Sequence, residues 1–211
     1  MKLIYGIGFA YLALCALVHV VRPNGSRSKG PASSVVPNTN GCTATQYGSE
    51  SAKRWYCSVK PYCNSVEAAD RLRTSPPPTG WDGAGYAAAC HTLAGRIDAA
   101  RQTLDAVAKH KRRRAVTIVF DIAHPVADRG DDVAAGPIMH LVLEYWPNFF
   151  QALYHAGMSD YALGKNEHAI DELTRFRRVY PHNDWFGQQA DRALDRLARG
   201  LGPDKPNPGA H

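Results

Sequence analysis

Residues 164–181, Gly164-Lys-Asn-Glu-His-Ala169-Ile-Asp-Glu-Leu173-Thr-Arg-Phe176-Arg-Arg-Val-Tyr-Pro181, decide the fold. A glycine is followed five residues on by an alanine, then by large apolar residues four and seven beyond that, and finally by a proline. Ala169, Ile170, Leu173, Phe176 and Val179 recur at steps of three and four, the period of a helix buried along one face. The same skeleton stands at Gly95, Ala100, Leu104, Val107 and at Gly130, Ala135, Met139, Val142, so the glycines are 35 and 34 residues apart. A fixed period in this range is the signature of stacked structural repeats.

Each offset has a packing role. The glycine ends the first helix of a hairpin in the left-handed region, the alanine sits where neighbouring helices approach closely, and Pro147 and Pro181 stop the second helix. First helices are expected over 85–93, 116–127 and 150–163, and second helices over 97–108, 132–145 and 167–180. A last helix over 184–199 carries Phe186, Ala190, Ala193, Leu194 and Leu197 on one stripe with charges opposite, as a solvent-facing cap should. Pro125 is expected to kink its helix, and Pro137 to delay the regular part of the next to Gly136 or beyond.

Residues 3–21 hold no fixed charge and one imidazole, His19. Nineteen helical residues roughly span a hydrocarbon core and exceed the apolar region of a signal peptide, so 1–21 reads as a transmembrane anchor, with a cleaved signal segment as the alternative. Leu12-Ala13-Leu14-Cys15 resembles a lipoprotein cleavage box, but Leu14 stands where a small residue belongs. Residues 22–48 are rich in Pro, Gly, Ser, Asn and Thr and read as a flexible tether. Segment 49–80 combines two short helices broken at Pro61 with a stiff spacer at Ser75-Pro-Pro-Pro-Thr-Gly80. The repeat domain follows over 81–200, and a tail rich in proline and glycine, 201–211, reads as disordered.

Cys42, Cys57 and Cys63 cluster beyond the anchor and could form a disulfide among themselves, in a pairing that sequence does not choose. Counting Lys2 against Arg22, Arg27 and Lys29 would keep the body in the cytoplasm. The cysteine cluster argues for an oxidising compartment instead. The expectation is a bacterial inner-membrane protein with a periplasmic body.

A hydrophobic content of 45% and a charged content of 21% are those of a globular protein, and the net charge of +6 is spread over helices. Lys109-His-Lys-Arg-Arg-Arg114 is read as the solvated C-terminal end of a helix, and no nucleic-acid partner is expected. Asp121, His124 and Asp128 share a helix face and could hold a divalent ion, with Asp131 and Asp132 placed to cap the helix that follows. Cys90-His91 superficially resembles a single-cysteine haem attachment, but it falls inside a repeat helix and is read as a buried thiol beside an imidazole. The chain holds no phosphate loop, no serine nucleophile elbow and no cysteine–histidine protease signature. No catalytic residue, metal site or cofactor is assigned, and the chain is read as a non-enzyme.

The skeleton resembles the tetratricopeptide repeat, a helix–turn–helix unit of roughly 34 residues. The third copy carries Leu153, Ala156-Gly157, Gly164, Ala169, Leu173, Phe176 and Pro181 at that family's offsets, with Tyr161 one residue late. The first matches at Ala87-Ala88, Gly95, Ala100, Leu104 and Val107, with Arg112 in place of the closing proline; the second matches at Ile122-Ala123, Gly130, Ala135, Met139, Val142 and Pro147. The resemblance implies an all-α superhelix of about three repeats plus a capping helix, whose first helices line a concave face. Phe120, His124, Asp128, Tyr154, Met158, Tyr161, Trp185, Gln188 and Arg192 would lie on that face. The family's carboxylate clamp is absent, because Gly85, Ala89, Phe120 and His124 occupy its places. The function implied is a membrane-tethered scaffold that binds a protein or peptide partner. The alternatives are a structural subunit embedded permanently in a membrane complex and, less favoured, a metal-binding protein or enzyme.

Overall fold

In the computed structural model, which describes residues 42 and 44–203, each skeleton glycine turns the chain between two helices. The helices are α1 (Glu50–Val59), α2 (Ala68–Thr74), α3 (Trp81–Leu93), α4 (Ile97–Asp105), α5 (Lys109–Asp128), α6 (Asp132–Tyr145), α7 (Phe150–Ala162), α8 (Asn166–Val179) and α9 (Trp185–Ala198), with a 3-10 turn at Lys60–Tyr62. No strand occurs among the described residues, so the fold is all-α. The expected anchor at 1–21, most of the tether and the tail from 204 lie outside the described residues.

Gly95, Gly130 and Gly164 have φ of 71, 73 and 72°, a region that residues with a Cβ rarely adopt. Each closes a Schellman turn. The N–H of Gly95 donates to the Thr92 carbonyl at 2.9 Å, and the N–H of Arg96 reaches back to His91 at 2.9 Å. Asp131 to Val126 and Lys165 to Asp160 repeat the longer bond at 3.3 and 2.8 Å. Gly200, at φ 69°, ends α9 with the same pair of bonds, so the last helix finishes as a first helix does.

The alanines Ala100, Ala135 and Ala169 are fully buried, as are Leu104, Met139 and Leu173. Helices pack mainly on chain neighbours: α3 with α4, α5 with α6, α7 with α8, and each hairpin against the next. The first helices also meet one another, α3 on α5, α5 on α7 and α7 on α9. That nearest-neighbour pattern buries one continuous apolar cluster from Ala88 to Leu197.

A second cluster lies where α1 and α2 cover α3. Tyr56 stacks on Tyr86 with centroids 5.0 Å apart, among Ala52, Val59, Leu72 and Ile118. Residues 44–48, read from sequence as the end of the tether, lie against α3: the Tyr86 hydroxyl donates to the Tyr47 carbonyl at 2.8 Å, and the Ser49 N–H to Asp82 at 2.8 Å. Two disulfides hold this end, Cys42–Cys57 and Cys63–Cys90. Cys90 is therefore not the buried thiol expected from its place in a repeat helix. It is the partner that the cluster of three cysteines lacked.

Other expectations are corrected. Pro61 sits in the 3-10 turn, and α2 starts only at Ala68, because the Asn64 carboxamide accepts from the N–H groups of Val66 and Glu67 and makes a turn of its own. Pro137 does not delay α6, which begins at Asp132 with the Asp131 side chain accepting from the Ala134 N–H. The carbonyl that Pro137 frees belongs to Val133, which is 71% exposed and can turn to water.

The basic run at 109–114 begins α5 instead of ending a preceding helix. Arg112, standing where the other copies have proline, donates to the carbonyls of Val107 and Asp105 and so terminates α4 early. The helix dipole disfavours cations at that N-terminus. Placement of the Arg113 guanidinium 3.8 Å over Trp146, and of Arg114 4.9 Å over Trp81, offsets the penalty.

Candidate functional site

Two helical features set up the site. The Asp184 side chain caps α9 by accepting from the Gly187 N–H at 3.1 Å, and the Tyr180 hydroxyl donates to the same carboxylate at 2.5 Å. The start of α9 is thereby placed so that Phe186 faces α7, its ring meeting Tyr154 edge-on at 5.2 Å. On the far side, α5 carries His124 and Asp128 one turn apart, facing His155 of α7.

Between these walls lies a cavity of about 270 Å³, lined by His124, Asp128, Phe150, Gln151, Tyr154, His155, Phe176, Tyr180 and Phe186. Its floor is a set of contacting rings: Phe176 against Tyr154 at 5.3 Å, Tyr180 stacked on Phe176 at 5.1 Å and on Phe150 at 4.9 Å. Phe150 and Phe186 remain 38% and 46% exposed, so apolar ring surface faces the opening.

The polar end is compact. His124 Nε2 and His155 Nε2 are 2.8 Å apart, and Asp128 Oδ1 lies 3.5 Å from the first and 3.9 Å from the second. The His124 ring stacks on Phe120 at 4.9 Å, and Phe120 is itself braced edge-on by Phe149 at 4.5 Å. Burial, reinforced by the neighbouring His124, pushes the His155 pKa down to about 4, so this ring is neutral at physiological pH. Burial also lifts the Tyr154 hydroxyl to about 12.

Of the residues expected from sequence, His124, Asp128 and Tyr154 come together at this cavity. Phe120 and Tyr161 are buried, the first beneath His124 and the second with its hydroxyl shared between Arg196 and the Gly202 carbonyl. Met158 packs half-buried against the core. Trp185 is 61% exposed beside Phe186, while Gln188 and Arg192 are exposed farther along α9. Asp121 is not among the groups around the aromatic cavity: it lines a neighbouring pocket with Lys60, Arg129 and His124, where burial raises its pKa against the lowering effect of His124.

His155 takes its place. It was missed because no residue near it in sequence suggests a cluster. The one signal is its distance of 31 residues from His124, one repeat less a helical turn, which sets the two on adjoining first helices. Phe176 and Phe186 were visible in the apolar stripes but were assigned to packing alone. No protein-family model, curated protein or solved structure matches this chain.

Proposed function

We propose that this chain is a helical-repeat scaffold of the tetratricopeptide type, tethered to a membrane outside the cytoplasm, which binds a protein or peptide by taking an apolar anchor side chain between α5, α7 and α9. The observation that carries the proposal is the ring-lined cavity with Phe150 and Phe186 half-open at its mouth. At about 270 Å³ it falls below the about 300–1,000 Å³ typical of small-molecule sites, which suits one side chain of a larger partner better than a whole cofactor. Aromatic anchors in pockets carry most of the binding energy at such surfaces.

Four features support the wider reading. The Schellman glycines recur at the repeat period, the buried alanines follow at a constant offset, the hairpins pack on chain neighbours, and two disulfides favour an oxidising compartment. Among the described residues no helix is long and apolar enough to cross a membrane, so the anchor in this proposal rests on residues 3–21. Permanent residence in a complex is favoured by one observation, the individually exposed apolar side chains of Ile170, Val179, Trp185 and Phe186 on α8 and α9.

Selection from a displayed peptide library on the full-length chain tests the proposal. It should enrich sequences sharing one aromatic or large aliphatic anchor, and Phe186→Ala should weaken them about tenfold or more at unchanged thermal stability. Enrichment without a shared apolar anchor, or binding indifferent to Phe186→Ala, would overturn it.

A further inference from the structure

Two imidazole nitrogens pointing at each other across 2.8 Å, with a carboxylate oxygen at 3.5 and 3.9 Å, form a triangle of donors contributed by two helices. A tetrahedral zinc ion, with nitrogen at about 2.0–2.1 Å and carboxylate oxygen at about 2.0–2.2 Å, spaces neighbouring ligands about 3.3 Å apart. The triangle brackets that spacing. As a hydrogen bond alone, the pair requires one ring to donate from Nε2 and the other to accept. Moving the donor ring's proton to its own Nδ1 leaves both Nε2 lone pairs facing the same point, with no net loss of protons.

The surroundings suit an ion. His155 is only 12% exposed, Asp128 is 55% exposed and gives an entry path, and Phe120 holds the His124 ring in place. All three donors also line the aromatic cavity. Three protein ligands with a position left for an incoming group is the arrangement of open, reactive zinc sites as distinct from closed structural ones.

A second histidine–carboxylate group, His140, Asp160 and His168, offers a contrast. There the His140 Nδ1 is already 2.9 Å from Glu172 and its Nε2 2.9 Å from Asp160, while Lys165 holds the other Asp160 oxygen at 3.0 Å. These groups satisfy one another as an ion-pair network and leave His140 no nitrogen to give.

We infer that His124 Nε2, His155 Nε2 and the Asp128 carboxylate bind one divalent transition-metal ion of the zinc class, its remaining position facing the ring-lined cavity. Imidazole-rich sites of this kind take zinc, nickel or copper in preference to calcium or magnesium. The site does not depend on peptide docking for its existence.

The test uses the tag-free full-length chain in mild detergent, stripped with a chelator. Zinc is titrated calorimetrically and cobalt(II) by its visible spectrum. One ion per chain should bind with a Kd of about 1 μM or tighter, with cobalt bands of tetrahedral intensity. Asp128→Asn, an exposed change that leaves packing alone, and His155→Gln, checked for folding by circular dichroism, should each weaken binding about tenfold or more. The His140→Gln/His168→Gln double variant and Phe186→Ala should not, and the latter separates this site from the docking reading. Absence of saturable binding below about 100 μM would overturn the inference. So would binding that survives Asp128→Asn and His155→Gln but is lost in the His140→Gln/His168→Gln variant.

Discussion

Cys63 is bonded to Cys90 across 27 residues of chain, fastening the α1–α2 cover to the third turn of α3. Cross-linking a loop of this length removes denatured-state entropy worth about 3.5 kcal/mol on the chain-entropy model. The Cys63→Ser/Cys90→Ser variant should therefore lose about 3–4 kcal/mol in urea unfolding, and reductant should destabilise the wild type further still, because it opens Cys42–Cys57 as well. A loss under about 1 kcal/mol would mean that the apolar cluster around Tyr56 and Tyr86 holds the cover unaided.

His140 should make stability depend on pH. Its hydrogen bond to Glu172, then the charges of Glu172 and Asp160, raise its pKa above the ordinary 6.5 despite the opposing effect of burial. Lys165 pairs with the other Asp160 oxygen at 3.0 Å, and His168 approaches the oxygen that His140 uses at 3.6 Å. Because the folded value exceeds the unfolded one, the stabilisation is complete below about pH 6.5 and fades as the pH rises through the folded value. The difference in unfolding free energy between wild type and His140→Gln should be larger at about pH 6 than at about pH 9. Equal differences at both would show that the ring acts by shape alone.

Gly85 marks a close approach of α3 to α5. A Cβ built there would lie 2.8 Å from the Ala115 carbonyl oxygen and 3.2 Å from its Cα, backbone atoms that cannot swing aside. Gly85→Ala should cost about 1–3 kcal/mol by forcing the two first helices apart. An unchanged denaturation midpoint would mean that the α3–α5 contact is loose.

The hairpins were legible because their signals are local. Gly95, Gly130 and Gly164 mark turns that a Cβ resists, and Ala100, Ala135 and Ala169 mark contacts that recur at one offset. What escaped was decided by tertiary neighbours. Arg112 ends α4 through carbonyls five and seven residues back, so the basic run changed from a helix end to a helix start. Cys63 found Cys90 across the stiff proline spacer at 75–80. At the site, His124 and Asp128 were readable as one face of one helix, whereas His155 depends on the stacking of α7 against α5. Trp185 was favoured over Phe186 because the capping by Asp184, which sets the rotation of α9, has no signature in the apolar stripe.

The central claim is that the cavity between α5, α7 and α9 receives a partner's side chain. Site-specific photo-crosslinking in living cells tests it most directly, with a benzophenone amino acid replacing Phe186. Val133, 71% exposed on α6, serves as the control position. The account predicts a discrete adduct of defined mass from position 186 and none from position 133. Adducts absent from position 186, or equal at both positions, would contradict it.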